Sequence, residues 1–268
     1  MRDLEETARR GLNHARRSAD LREEMGALWW VADALVAGPT PVPDAILACD
    51  DLLTSYGRDH GGVQADLGLL WAMRGEFDRA RQLANAARTH IREGLRGVKR
   101  ALTFVEQRSA EVELMAGDDV AAERQLRLAL ELAFDVGERD QVAQIAGLLS
   151  RILSSRGDLE EAEQLAAVSV EQSPAESVTS QALSRTALAL VTAERGDHIQ
   201  AERLAREAVG LAPVDMLNLR GSLLVDLACV LSIVDRGQEA KAVLAEAAFA
   251  YERKGNLIGV SHVGALLG

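Results

Sequence analysis

Chemistry in a protein needs particular side chains at particular spacings, and this chain offers few candidates. The stretch Gly94-Leu95-Arg96-Gly97-Val98-Lys99 is the nearest approach to a phosphate-cradling loop. A working loop of that kind ends in Gly-Lys-Ser/Thr and joins a strand to a helix, whereas here the lysine follows Val98 and a helical pattern precedes the glycines. The five histidines (His14, His60, His90, His198, His262) are scattered, with no two at the i, i+4 spacing of a helical zinc pair, so each reads as a surface residue. Asp118-Asp119 and Glu160-Glu161 supply the paired carboxylates that acid–base chemistry uses. Both pairs fall where a helix starts, and the helix dipole accounts for them there. No serine, cysteine or threonine has an arguable base and orienting group around it. The expectation is a chain that is not an enzyme and holds no metal or cofactor, with its function in binding.

Composition narrows what it can bind. The formal net charge of −11 disfavours nucleic acid, because phosphate binding needs a basic surface that releases counterions. Between Arg74 and Arg108 basic residues outnumber acidic ones, but they spread around helices rather than lining one stripe and read as a solvated face. Cys49 and Cys229 are far apart, each inside a helical apolar pattern, so neither a disulfide framework nor a metal site is indicated. The N-terminus lacks the order of a signal peptide, and the longest apolar run, Leu223 to Val234, is short and contains Asp226. These features predict a soluble, cytoplasmic protein with no membrane partner.

The elements that would position any binding residue are helices. Alanine and leucine dominate, and the prolines (Pro39, Pro41, Pro43, Pro174, Pro213) fall between periodic segments. From Val142 to Pro174 two helices' worth of apolar periodicity is broken once, at Arg156-Gly157-Asp158. The alanine after each such break makes a ruler: Ala45, Ala80, Ala122, Ala162, Ala201 and Ala240 are 35, 42, 40, 39 and 39 residues apart. A small residue belongs there because paired helices approach closely at that level, and a longer side chain would overpack it. The spacing predicts one all-α domain over residues 1–268, with six complete helix pairs turning near 38–43, 75, 117, 157, 196 and 235, half-units at both ends, and about 14 helices in all.

The ends differ from the middle. Residues 3–17 read as the second helix of a pair, with Ala8, Leu12 and Ala15 on one face and no first helix before them. Such an end leaves apolar surface unless something covers it, so it is either the cut end of a longer protein or an unusual cap. Leu257 to Leu267 forms a lone first helix that can cap the other end. Trp29 and Trp30 point about 100° apart on a helix, which predicts that they serve packing, with one in the core.

Leu67-Gly68-Leu69-Leu70-Trp71, followed by Gly75 and Phe77, resembles the tetratricopeptide-repeat signature. That resemblance implies an α-solenoid, a right-handed superhelix of antiparallel pairs. The stretches GPTPVPDAILACDDLL (38–53), ELMAGDDVAAERQLR (113–127), AERLAREAV (201–209), DMLNLRGSLLVDLACVL (215–231) and YERKGN (251–256) are similar to the C-terminal helical-repeat region of large actinobacterial signalling proteins. In that family a class III adenylate/guanylate cyclase domain and a STAND-type ATPase domain precede the repeats. Neither domain is present here, so the resemblance implies a sensor or scaffold region and none of the family's catalysis.

In tetratricopeptide folds the first helices of the pairs line the concave face, and counting back from each turn glycine gives the inward positions. The second pair contributes Leu69 and Met73, and the third contributes Phe104, Gln107, Glu111 and Met115. Gly147 and Arg151 follow in the fourth pair, Thr186 and Leu190 in the fifth, Val225 and Cys229 in the sixth. The resulting groove is small-residued and largely apolar, with Glu111 and Arg151 as isolated charges. It suits a helix or peptide from another protein, or from another domain of the same polypeptide, within a signalling or transcription-regulating assembly. The alternatives are an apolar metabolite anchored by Glu111 and Arg151, or no groove at all if adjacent helices pack tightly there.

Overall fold

The computed structural model describes residues 2–18, 20–56, 60–93 and 98–268, and every regular element among them is an α-helix. The order is α1 (Arg2–Ser18), α2 (Leu21–Ala37), α3 (Val42–Tyr56), α4 (Gly61–Met73), α5 (Phe77–Glu93), α6 (Val98–Ala116) and α7 (Asp119–Val136). It continues with α8 (Arg139–Ser155), α9 (Leu159–Gln172), α10 (Val178–Glu194), α11 (His198–Leu211), α12 (Leu217–Ile233), α13 (Gly237–Lys254) and α14 (Leu257–Leu267). The loop-like stretch at Gly94 to Gly97 lies outside the described residues.

The chain turns where its backbone must go left-handed. Gly75, Gly117, Gly157 and Gly196 take φ of 86°, 77°, 84° and 90°, a conformation that costs a residue with a β-carbon roughly 1–2 kcal/mol. Asp118 and Asp197 then cap the following helices, accepting the backbone N–H of Ala121 at 2.9 Å and of Gln200 at 3.2 Å. The turn before α13 differs, because Asp235 itself takes the positive φ of 60° and Gly237 is already the first helical residue.

Five successive pairs, α4–α5 through α12–α13, make the most extensive packing in the molecule. Their ruler alanines, Ala80, Ala122, Ala162 and Ala201, are fully buried, and Ala240 nearly so. The close approach is visible in α4, where a β-carbon on Gly68 would lie 3.1 Å from the Ala80 carbonyl oxygen. The N-terminal helices pair differently: α2 packs far more on α1 than on α3, and Leu12 and Ala15 of α1 are buried. The proline-stiffened α2–α3 turn holds α3 away from α2 and onto α4.

Even-numbered helices α2 to α12 form an inner layer and odd-numbered helices the outer one. Along the outer layer Arg127 of α7 pairs with Glu161 of α9 at 2.7 Å, and Arg206 of α11 with Glu239 of α13 at 2.6 Å. Exposed rungs of this kind add little stability, at most about 1 kcal/mol each. Along the inner layer α4 meets α6, and α8 meets α10, which meets α12, but α6 and α8 scarcely touch. The array also curls until its ends meet. Lys254, at the end of α13, is fully buried and its Nζ donates to the carbonyl oxygens of Leu35 (2.7 Å), Gly38 (2.8 Å) and Thr40 (2.8 Å). Beyond it, α14 reaches α4, and α12 touches α2.

Candidate binding basin

Curling an inner layer onto itself encloses space. A cavity of about 870 Å³ lies against the inner helices, walled by α2 and α4 on one side, α6 and α8 across the gap, and α10, α12 and α14 opposite. Its aromatic end is built on α2 and α6. Trp29 meets Phe104 edge to face at 4.6 Å and stacks against Trp30 at 6.1 Å. Gly62 of α4 leaves room for this, since a β-carbon there would lie 3.1 Å from the Trp29 ring. Trp30 lines the basin while remaining 55% exposed.

Beside the aromatics sits a buried charge network. Arg108 bonds Asp33 of α2 at 2.6 Å, Asp66 of α4 at 3.0 Å and Glu111 one turn along α6 at 3.0 Å, while its guanidinium lies 4.7 Å from the Phe104 ring centre. Burial disfavours the Arg108 charge, but Glu111, Asp66 and Asp33 together outweigh that and hold it well above the usual arginine range. Burial likewise raises the Asp66 carboxyl well above its ordinary range, with Arg108 offsetting part of the effect. Across the basin Arg151 bonds Asp226 at 2.8 Å, leaving Arg151 Nε and Asp226 Oδ2 without hydrogen-bond partners. Polar contacts bridge the α6–α8 gap: Arg100 bonds Glu138, the N-cap residue of α8, at 3.1 Å, and Gln107 bonds Gln144 at 3.3 Å.

Six of the positions counted from the turn glycines line this basin: Leu69, Phe104, Gln107, Glu111, Met115 and Arg151. The other six do not. Met73, Thr186 and Val225 are buried between helices, and Gly147 is a close-approach point where a β-carbon would lie 3.1 Å from Ser169 Oγ. Leu190 packs against the C-terminal core, and Cys229 is exposed away from the basin. The reason is geometric: an inner helix is covered by its partner and by the inner helices before and after it, so only a narrow stripe faces inward. Two further readings are corrected. Glu111 and Arg151 are not isolated charges but members of ion-pair networks, set in walls that are otherwise mostly apolar. Nor is the basic stretch wholly solvated, since Arg108 is interior and Arg88 pairs with the buried Glu106 at 2.7 Å.

Counting from turn glycines also missed residues. Trp29, Trp30 and Asp33 belong to α2, whose proline-built turn lacks the reference glycine; both tryptophans line the basin, and Trp29 also packs on the buried cluster around Phe104 while Trp30 is exposed, the division expected of adjacent helical positions. Tyr251 and His262 come from α13 and α14, which reach the basin only because the ends meet. The signal available for α2 was the helical spacing of Trp29, Asp33 and Val36, all on the basin wall. Among the described residues no cluster of His, Cys, Asp or Glu is arranged to hold a metal, and no helix is long and apolar enough to cross a membrane.

No protein-family model and no curated protein sequence matches the chain. Solved structures do resemble it in shape. NprR in complex with its cognate peptide NprX superposes with a TM-score of 0.60 at 14% identity, over 84% of this chain and 65% of that one, so this chain spans just under two thirds of its length. The apo form of the quorum sensor NprR from B. thuringiensis gives 0.55 at 12% identity, over 99% of this chain and 80% of that one. BtubC from P. vanneervenii gives 0.50 at 18% identity, over 93% and 90%. At these identities the likeness speaks to fold alone, and the fold is a tetratricopeptide-like helical-repeat solenoid.

Proposed function

We propose that the chain is a non-catalytic recognition module that takes a short, extended peptide segment into the basin, as the sensor or scaffold part of a larger signalling or transcription-regulating system. The segment comes from another protein or from another domain of the same polypeptide. The observation that carries this reading is the composition of the walls. Gln107, Gln141, Gln144 and Asn218 line the basin, and Gln141 Oε1 has no hydrogen-bond partner. A carboxamide offers both a donor and an acceptor, which matches the N–H and C=O of an extended main chain. Between them Leu148, Leu183 and Leu219 give apolar seats for side chains.

The wall chemistry favours an extended occupant over a helical one, because a helix pairs its own main-chain N–H and C=O groups and leaves none for the wall carboxamides. An apolar metabolite fits the cavity of about 870 Å³ but would desolvate the carboxylates and carboxamides of the wall while offering them no polar group in return. The likeness to a peptide-bound NprR supports the peptide reading as well. Selection from a displayed library of random dodecapeptides against the immobilised chain is the test. Binders are expected, and Leu219→Asp, which places a charge on a half-buried wall position, reduces their capture about tenfold or more. Recovery of no binder, or binders indifferent to Leu219→Asp, would overturn the proposal.

A further inference from the structure

The aromatic end of the basin has the chemistry of a cation subsite. Trp30 presents an indole that is 55% exposed on an inner wall, and Asp33 stands one turn further along the same helix, which places the two side by side. The molecule already holds one guanidinium in this setting: Arg108 lies over Phe104 at 4.7 Å and bonds Asp33 and Glu111 at 2.6 and 3.0 Å. One guanidinium does not neutralise both of the basin-wall carboxylates that meet it, Asp33 and Glu111. The imbalance extends along the basin. Five carboxylates line it against three guanidiniums, and each guanidinium is already in an ion pair. Asp140 and Glu176 on the far wall have no cationic partner among the described residues. A cation over an aromatic face and near carboxylates gains from both, and the chain's net charge of −11 adds a long-range attraction of the same sign.

Resting on the peptide reading above, we infer that the bound segment carries an arginine or lysine side chain, seated against Trp30 with its charge toward Asp33 and Glu111. Trp30 and Asp33 are then specificity-determining residues.

The test uses the full chain and four end-capped random octapeptide libraries that differ only in one fixed residue: arginine, lysine, glutamine or glutamate. Capping the ends removes terminal charges, so a difference reports the side chain. The arginine and lysine libraries are expected to be retained about fivefold or more over the glutamine library, with glutamate lowest. Trp30→Leu keeps the site apolar but removes the indole face, and Asp33→Asn keeps its shape but removes the charge. Each should at least halve the ratio of arginine- or lysine-library retention to glutamine-library retention measured on the same variant. Because Trp30 is exposed, its variant keeps the test decisive even if Asp33→Asn disturbs the Arg108 network and the fold. Equal retention of all four libraries would overturn the cation subsite and leave the peptide reading standing. Retention of none would overturn both.

Discussion

His60 shows how much one side chain can carry where a helix begins. Its Nδ1 accepts the backbone N–H of Val63 at 3.3 Å and caps α4, while Nε2 bonds the carbonyl oxygen of Met25 at 2.8 Å and ties α4 to α2. Only the neutral ring with its proton on Nε2 can do both. Far from the surface position its sequence context predicts, the residue is buried, and burial lowers its pKa below the ordinary histidine value of about 6.5 despite the Met25 bond. The sign follows from linkage: the unfolded chain takes up a proton below about pH 6.5 that the fold refuses, so this group's contribution is lost as pH falls through that window. The buried carboxyls of Asp66 and Asp226 are shifted the opposite way, toward higher pKa, so total stability mixes the two effects. The clean quantity is the difference between wild type and His60→Gln. Urea midpoints at about pH 7.5 and 5.5 should show wild type losing its advantage over the variant at the lower pH. A constant difference across the window would show that the ring is not held neutral. Nothing in the sequence around His60 marks it, because its partner Met25 lies 35 residues away.

At the scale of helices and turns, legibility divides sharply between where a helix ends and which way it faces. Turn glycines stand out because a left-handed residue strongly favours glycine, so Gly75, Gly117, Gly157 and Gly196 mark their turns from sequence alone. Inward faces do not stand out. In α4, eleven of thirteen residues are buried, so the apolar stripe that would reveal a face has spread around the helix. Five of the twelve glycine-counted positions consequently fall in packing, as Met73 and Gly147 do, and a sixth, Cys229, is exposed outside the basin. The turn before α13 departs even from the glycine rule, since Asp235 holds φ of 60°. Replacing Asp235 with glycine relieves that conformation, against a smaller entropic loss from a more flexible unfolded chain. The expected result is a net gain of about 0.5–1 kcal/mol, read as a higher thermal midpoint. A lower midpoint for Asp235→Gly would mean that the aspartate side chain contributes more than its backbone conformation costs.

The whole molecule departs from an ordinary repeat array in that its last helices pack back onto its first ones. In an open solenoid each repeat touches only its neighbours, so a change at one end leaves the other undisturbed. Here the Lys254 ammonium reaches back over 214 to 219 residues to three carbonyls at the α2–α3 turn. Gly255 follows so closely that a β-carbon on it would lie 3.4 Å from the Pro43 ring. Burial pushes Lys254 down to about 7, so the clasp carries a desolvation cost that its three hydrogen bonds must offset. No local pattern in the YERKGN stretch announces this, because its partners are two hundred residues distant and are main-chain oxygens, which any sequence supplies. Lys254→Met keeps the length and apolar stem of the side chain but strands the acceptors of Leu35, Gly38 and Thr40, at a cost of about 1–3 kcal/mol for each buried group left unsatisfied. Because the contact joins the two ends, the loss should appear far from the substitution. Amide hydrogen exchange is expected to quicken at residues 35–43 as well as 251–267, and small-angle scattering to show a larger radius of gyration as the ring relaxes toward an open superhelix. Faster exchange confined to residues 251–267 would mean that the ends touch without being coupled. The basin would then be held by the inner helices alone.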